Sequence, residues 1–528
     1  MERITIFLLF YCVFGGTHIV SAAALTSENK PFLMSSDTLH QHLSALATDN
    51  AQAKMVNLGY SAGGRPIAGL LFSSSPAFLS KPSAQPDKVT VMLLGSQHGN
   101  EPAGAEAMLQ LATELADGQH ETLLARLNLV LVVLANPDGR DLASRYNAAK
   151  DNTNIDYVAL GAGETQLLVD ALQHFDPDVV YDAHESGIWK RILTKEQGWM
   201  TDVEAQFDMG NNPNVDASLR QYTELHLLPT LIERVSKAGL PASRYRGEIT
   251  RLGQSVARGG LGITNLRNYA ALQGRVSILV ENRLDNKQDA YTKPDTKPYA
   301  TPRNIGERTR KQHLSMLTML QLVSDEMEPL LKVSRAARQQ WHSSAQGEQV
   351  LAMKIGFEVN PSQPVVELPL VRLADGHHAL HSFANHETIV RQDLVALPAA
   401  YAITRERERM ARWLTLHNIE FITLAEPNTL LVERITITEL ARLPKSQAGR
   451  REKIHAQVQV IKAEAHLQPG DLLVPMRQPL APLAALMLDP RSVNAVYQEK
   501  GWDWLALGEF PVFPVLESEL TAATLSQP

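Results

Sequence analysis

Hydrophobic and polar positions in residues 35–335 switch repeatedly between two periods. Val89–Leu94 and Leu127–Ala135 are nearly continuous apolar and β-branched runs, as strands buried on both faces should be. Asp178–Ala183 and Arg275–Val280 read as further strands, and Ala68–Phe72 as another after a Gly-rich turn at Leu58–Ile67. Helical spacing follows the first run through Met108, Leu109, Leu111 and Leu115. It returns over Glu164–Phe175, over one long helix Ala217–Ala238, and over a closing helix Gly306–Val333. Asp37–Leu58 also reads as helical, while Ser73–Asp87, Trp199–Asp216 and Asp285–Arg303 read as loops. This alternation predicts an α/β domain with a mostly parallel mixed sheet flanked by helices.

Near Trp341 the texture changes. From about residue 350, short apolar stretches are separated by Pro, Gly and Asn, with one charged helix around Arg405–His417. The expected organisation is a catalytic domain over 25–340 and a smaller β-rich domain over 341–528.

The N-terminus carries Arg3, an apolar run Ile4–Phe14 and small residues Ser21–Ala24. This pattern predicts a signal peptide over 1–24 and export to a periplasm or the exterior. The run is too short to span a bilayer, so no membrane span is expected after its removal. The single cysteine, Cys12, falls inside it, leaving the exported chain no thiolate for a disulfide, a zinc site or a nucleophile. A metal would have to be held by His and carboxylates. The 528 residues, 44% hydrophobic and 20% charged, suit two soluble domains. A net charge of −7 argues against nucleic acid as the partner. No residue pattern assigns an oligomeric state.

Four residues share one position in this scheme. His98 and Glu101 sit on the turn after Val89–Leu94, while His184 and Glu281 end two other predicted strands. All four should lie on one rim of the sheet, where open α/β sheets place their ligand sites. Two His and one Glu leave a tetrahedral zinc one open position for water. A further carboxylate, Glu281, suits a general base that takes a proton and returns it to a leaving amine. Asp182 is expected on the opposite face of its strand from His184, as outer support.

These residues resemble the zinc carboxypeptidases, the carboxypeptidase A-like metallopeptidases. The similarity rests on His98-Gly99-Asn100-Glu101, on His184 within Asp182–Ser186, and on Glu281 within Ser277–Arg283. It extends to Gly59-Tyr60-Ser61 with Gly64–Ile67 and to Asn136-Pro137-Asp138-Gly139, covering residues 35–335. The resemblance implies zinc held by His98, Glu101 and His184, and Glu281 as base. Arg145 falls where the family has its oxyanion-stabilising Arg, Asn154 on a substrate-contacting Asn, and Tyr269 near a substrate-contacting Tyr. Ile155 stands where the family has the Arg that pairs with the substrate's terminal carboxylate, and isoleucine cannot make that bond. Arg191, Arg251, Arg258 and Arg283 are candidates to replace it. Gln478–Ala481 and Leu486–Pro490 resemble a C-terminal extension of some bacterial relatives, with a packing or substrate-access role.

The expected activity is that of an exported zinc metallocarboxypeptidase acting on peptides. Ile155 keeps open a zinc deacylase or amidase acting on N-acyl amino acids or cell-wall peptides. A non-catalytic zinc-binding protein of the same fold is the third reading.

Overall fold

The computed structural model describes residues 33–82, 87–186, 197–284, 304–343, 349–443 and 453–516. The expected signal peptide, Cys12, Arg191 and the Asp285–Arg303 loop lie outside the described residues.

The strands of the first part are β1 (Ala53–Tyr60), β2 (Pro66–Phe72), β3 (Val89–Gly95), β4 (Leu127–Val132) and β5 (Val179–Ser186). They continue as β6 (Trp199–Thr201), β7 (Ala205–Met209), β8 (Ala242–Arg244), β9 (Ser255–Val256) and β10 (Val276–Arg283). Eight of these form one mixed sheet in the order β1-β2-β4-β3-β5-β10-β7-β8. Its centre, β4-β3-β5-β10, is parallel. Every residue of β3 and β4 is buried, the pattern of strands covered on both faces. The helices Ala103–Ala116, Gly163–Phe175 and Ile305–Asp325 supply buried faces to the same core. The fold is the α/β mixed sheet flanked by helices that the periodicity predicts.

The expected closing helix over 306–333 is two helices, Ile305–Asp325 and Met327–Ser343, and three other local expectations fail for identifiable reasons. The first helix stops at Thr48, because Asn50 turns the chain: its side chain accepts from the Gln52 N–H and its carbonyl from the Ala53 N–H. Residues 53–58 are therefore strand. Trp199–Asp216 is not a plain loop but contains β6 and β7, whose ladder partners lie far away in sequence. The long helix over 217–238 contains a π-helical turn, Thr223–Leu227, between α-helical segments Ala217–Tyr222 and Leu228–Lys237. Thr223 Oγ1 donates to the Leu219 carbonyl there, and Pro229 has no N–H to continue the ladder.

The C-terminal part is β-rich, as its composition suggests, with a seven-stranded sheet and a fully buried helix Ala481–Leu488. It also shares a four-stranded sheet with the first part: β6 and β9 flank the strands Val365–Arg372 and His378–Asn385. The helix Arg407–Leu416 docks on the loop after Ile155. Trp413 Nε1 donates to the Val158 carbonyl at 2.9 Å, and His417 Nε2 lies 3.1 Å from the same oxygen.

Candidate metal centre

β3 leaves the sheet at Gly95, and Ser96 takes a left-handed φ of 56° to begin the turn. Gly99 then packs on the Asn136–Asp141 turn so tightly that a Cβ would fall 1.9 Å from the Gly139 carbonyl carbon. Only glycine permits that approach. The second turn is fixed in its own right. Asn136 caps it by accepting from the Gly139 N–H and also donates to the Gln97 carbonyl. Asp138, fully buried, accepts from Ser61 Oγ, the Gly63 N–H and Arg65 Nη1. The Gly-Tyr-Ser leader and the Asn-Pro-Asp-Gly turn thus act together as a buttress under the His98 turn.

His98, Glu101 and His184 converge, with one ligand atom from each within 4.8 Å of the others. His98 Nδ1 lies 3.0 Å from Glu101 Oε1, His184 Nδ1 lies 3.0 Å from Glu101 Oε2, and the two Nδ1 atoms are 3.1 Å apart. Facing ring nitrogens beside a carboxylate form a donor set of two nitrogens and an oxygen, which suits zinc. Arg145 Nη1 is 3.2 Å from Glu101 Oε1. Glu281 is the Cα partner of His184 on the adjacent parallel strand, so the two side chains share a face about 4.8 Å apart at the backbone.

The protonation of the cluster is uneven. Burial holds His98 below the ordinary imidazole range, only partly offset by Glu101. For His184 the same burial is outweighed by Asp182 and Glu101, which raise it well above that range. Glu101 is held well below the usual carboxylate range by both histidines, against its own burial.

Asp182 corrects an expectation. Residues two apart on a strand share a face, and Asp182 Oδ2 lies 3.1 Å from His184 Nε2. Its other oxygen accepts from Gln97 Nε2 at 2.7 Å, and Gln97 Oε1 accepts from the Tyr157 hydroxyl at 2.8 Å. Strand parity alone could have found Asp182; nothing in the sequence singles out Gln97 or Tyr157. Glu185, also missed, receives a bidentate pair from Arg308 at 2.7 and 2.8 Å. It caps the Ala103 N–H, while its own N–H donates to Glu101 Oε2.

The remaining candidates divide. Asn154 is half-buried on a 3-10 turn, Thr153–Ile155, that is tied to the His98 turn through Thr153 Oγ1 and the Gln97 carbonyl. Tyr269 is not brought to the cleft as expected. Its helix, Leu266–Ala271, is wholly buried, and its hydroxyl hydrogen-bonds His417 Nδ1 at 2.8 Å. Arg283 is 1% exposed and engaged by the Thr201 carbonyl and Met200 sulfur, and Arg251 is exposed. Arg258 sits among charged side chains beside β7.

Residues 39–183 match the family described as Zinc carboxypeptidase. The first part of the chain is zinc carboxypeptidase-like in fold. Carboxypeptidase 2 of Trichophyton equinum is 27% identical over 282 residues, 51% of this chain and 52% of that protein. The chain thus spans about half the length of that relative. Carboxypeptidase 2 of Trichophyton rubrum is 23% identical over 469 residues, 87% of this chain and 82% of the relative. These relatives are fungal, so they lend nothing to the expected bacterial kinship. A metallo-carboxypeptidase structure from Burkholderia cenocepacia has a TM-score of 0.41 and 19% identity, covering 56% of this chain and 70% of that one. Among the described residues no helix is long and apolar enough to cross a membrane.

Proposed function

We propose that this chain is an exported zinc metallopeptidase of carboxypeptidase type, hydrolysing a peptide bond near the substrate's C-terminus. The carrying observation is the convergence of His98, Glu101 and His184 beside Glu281 on the next strand. The three ligands fit zinc by their donor atoms and by the shared space between them. When bound, zinc supplies a Lewis acid that polarises the scissile carbonyl and acidifies water. Glu281 takes a proton from water and delivers it to the departing amine. Arg145, part-exposed and anchored on Glu101, presents guanidinium N–H groups to the charge that develops on the carbonyl oxygen. Asn154 orients the substrate from the adjoining turn. Asp182 fixes the His184 ring from behind, which sets its ligating nitrogen.

The test is Glu281→Gln, assayed on short peptides with products read by mass, alongside the metal content of the purified protein. Loss of about 10²–10⁴-fold in kcat with zinc retained is expected. An active variant, or a wild type that hydrolyses peptides without zinc, overturns the proposal. Ile155 leaves one alternative standing, a deacylase or amidase indifferent to a free C-terminus. Equal cleavage of matched free-acid and amidated peptides selects that alternative.

A further inference from the structure

Ile155 removes the cation expected to hold the substrate's carboxylate, yet an arginine cluster stands beside the general base. Asp208 of β7 is the Cα partner of Leu279 on β10, and Gln206 is that of Glu281. Asp208, Leu279 and Glu281 therefore project from the same sheet face, with the Asp208 and Glu281 backbones about 8 Å apart from strand spacing and rise.

Over Asp208, positive charge outnumbers negative among the described residues. Asp208 is shared by Arg267 at 3.1 Å and Arg244 at 3.6 Å. Glu224, on the π-helical turn, is shared by Arg258, by Arg244 at 3.5 Å and by Arg220 at 3.4 Å. Glu387, from the C-terminal part, is shared by Arg246 and, at 3.9 Å, by Arg258. Five guanidinium groups thus divide three carboxylates, and several of the contacts are long. The buried Nε atoms of Arg244, Arg258 and Arg267 have no hydrogen-bond partner. Burial, with Arg258 adding to it against the nearby carboxylates, lowers Arg244 from its usual value.

The local backbone is shaped around this group. A Cβ on Gly259 would fall 2.4 Å from Asp208 Oδ2 and 2.6 Å from Arg267 Nη1. Gly259 donates its N–H to Asp208, and the Gly260 carbonyl accepts from Arg267. The loop is drawn onto the Asp208–Arg267 pair, with Arg258 the next residue along, its side chain 18% exposed. Partly buried guanidinium groups in excess of the carboxylates they share favour an anion, and they bind carboxylates in bidentate geometry.

We propose that this cluster, acting through Arg258 beside the Gly259 loop, is the subsite that receives a carboxylate of the substrate, replacing the arginine lost at Ile155. The assignment rests on the peptidase reading for its meaning, but anion binding can be measured without turnover. The carboxylate is either the substrate's terminal one or that of an acidic C-terminal side chain.

The experiment is calorimetric titration of the zinc-loaded full chain with N-acetyl-glutamate, N-acetyl-glutamine and N-acetyl-glutamine amide. It is repeated on Arg258→Met and Arg258→Lys, with thermal unfolding and zinc content as controls for folding. Wild type should bind a carboxylate-bearing ligand at least tenfold more tightly than the amide. That preference should vanish in Arg258→Met and return in part in Arg258→Lys, with zinc content unchanged. Tight binding of glutamate over glutamine identifies the side-chain carboxylate. Equal binding of both over the amide identifies the terminal one. Absence of any preference in wild type, or a preference intact in Arg258→Met, overturns the proposal. Binding as expected in a protein that hydrolyses no peptide would sink the peptidase reading and leave the anion site standing.

Discussion

Acidification should loosen the C-terminal part from the α/β part through one residue, His417. Its ring is completely buried between the Val158 carbonyl, 3.1 Å from Nε2, and the Tyr269 hydroxyl, 2.8 Å from Nδ1. The carbonyl can only accept, so Nε2 carries the proton and Nδ1 accepts from Tyr269. Both ring nitrogens are satisfied in the neutral form. Burial pushes the imidazole down to about 3, against roughly 6.5 in an unfolded chain. The unfolded state therefore takes up a proton that the folded state refuses. This stabilisation is complete above the unfolded value and is lost as pH falls toward the folded one. The loss is about 1.4 kcal/mol per pH unit within that window, or about 2 kcal/mol between pH 7 and pH 5. Urea unfolding at pH 7, 6 and 5 measures it, followed by tryptophan fluorescence because the Trp413 ring lies 4.6 Å from His417. His417→Gln can keep both hydrogen bonds without titrating, so the difference between wild type and variant isolates this residue from the other histidines. If the two stabilities fall in parallel with acid, the reasoning is wrong.

Two further changes test the architecture around the candidate metal centre. Arg308→Met strips the bidentate partner from buried Glu185 and should destabilise the fold by about 3–5 kcal/mol, read as a lowered urea midpoint; an unchanged midpoint would show that Glu185 finds other compensation. Gly99→Ala places a methyl where the Gly139 backbone now lies. It should cost about 1–3 kcal/mol and weaken zinc binding in a chelator competition, and wild-type zinc affinity would refute the buttress role of that contact.

The sequence alone was enough to expect His98, Glu101 and His184 on one rim of the sheet, where the structure brings them together. Continuous apolar runs are legible because a strand covered on both faces tolerates few polar residues; His184 and Glu281 end predicted strands, and His98 lies on the turn after one. The α/β fold class and the β-rich texture after Trp341 come from the same patterning. Register was out of reach of periodicity, and register decides which groups meet. The pairing of Glu281 with His184, and of Leu279 with Asp208, joins strands separated by long stretches of chain. Tyr269 shows the converse: its place near the expected motif suggested a cleft residue, yet a histidine 148 positions later claims its hydroxyl inside the core. The arginines around Asp208 are scattered from residue 220 to 267 and share a carboxylate from residue 387. Only folding collects those charges, because a Coulomb interaction depends on distance in space and not on separation along the chain.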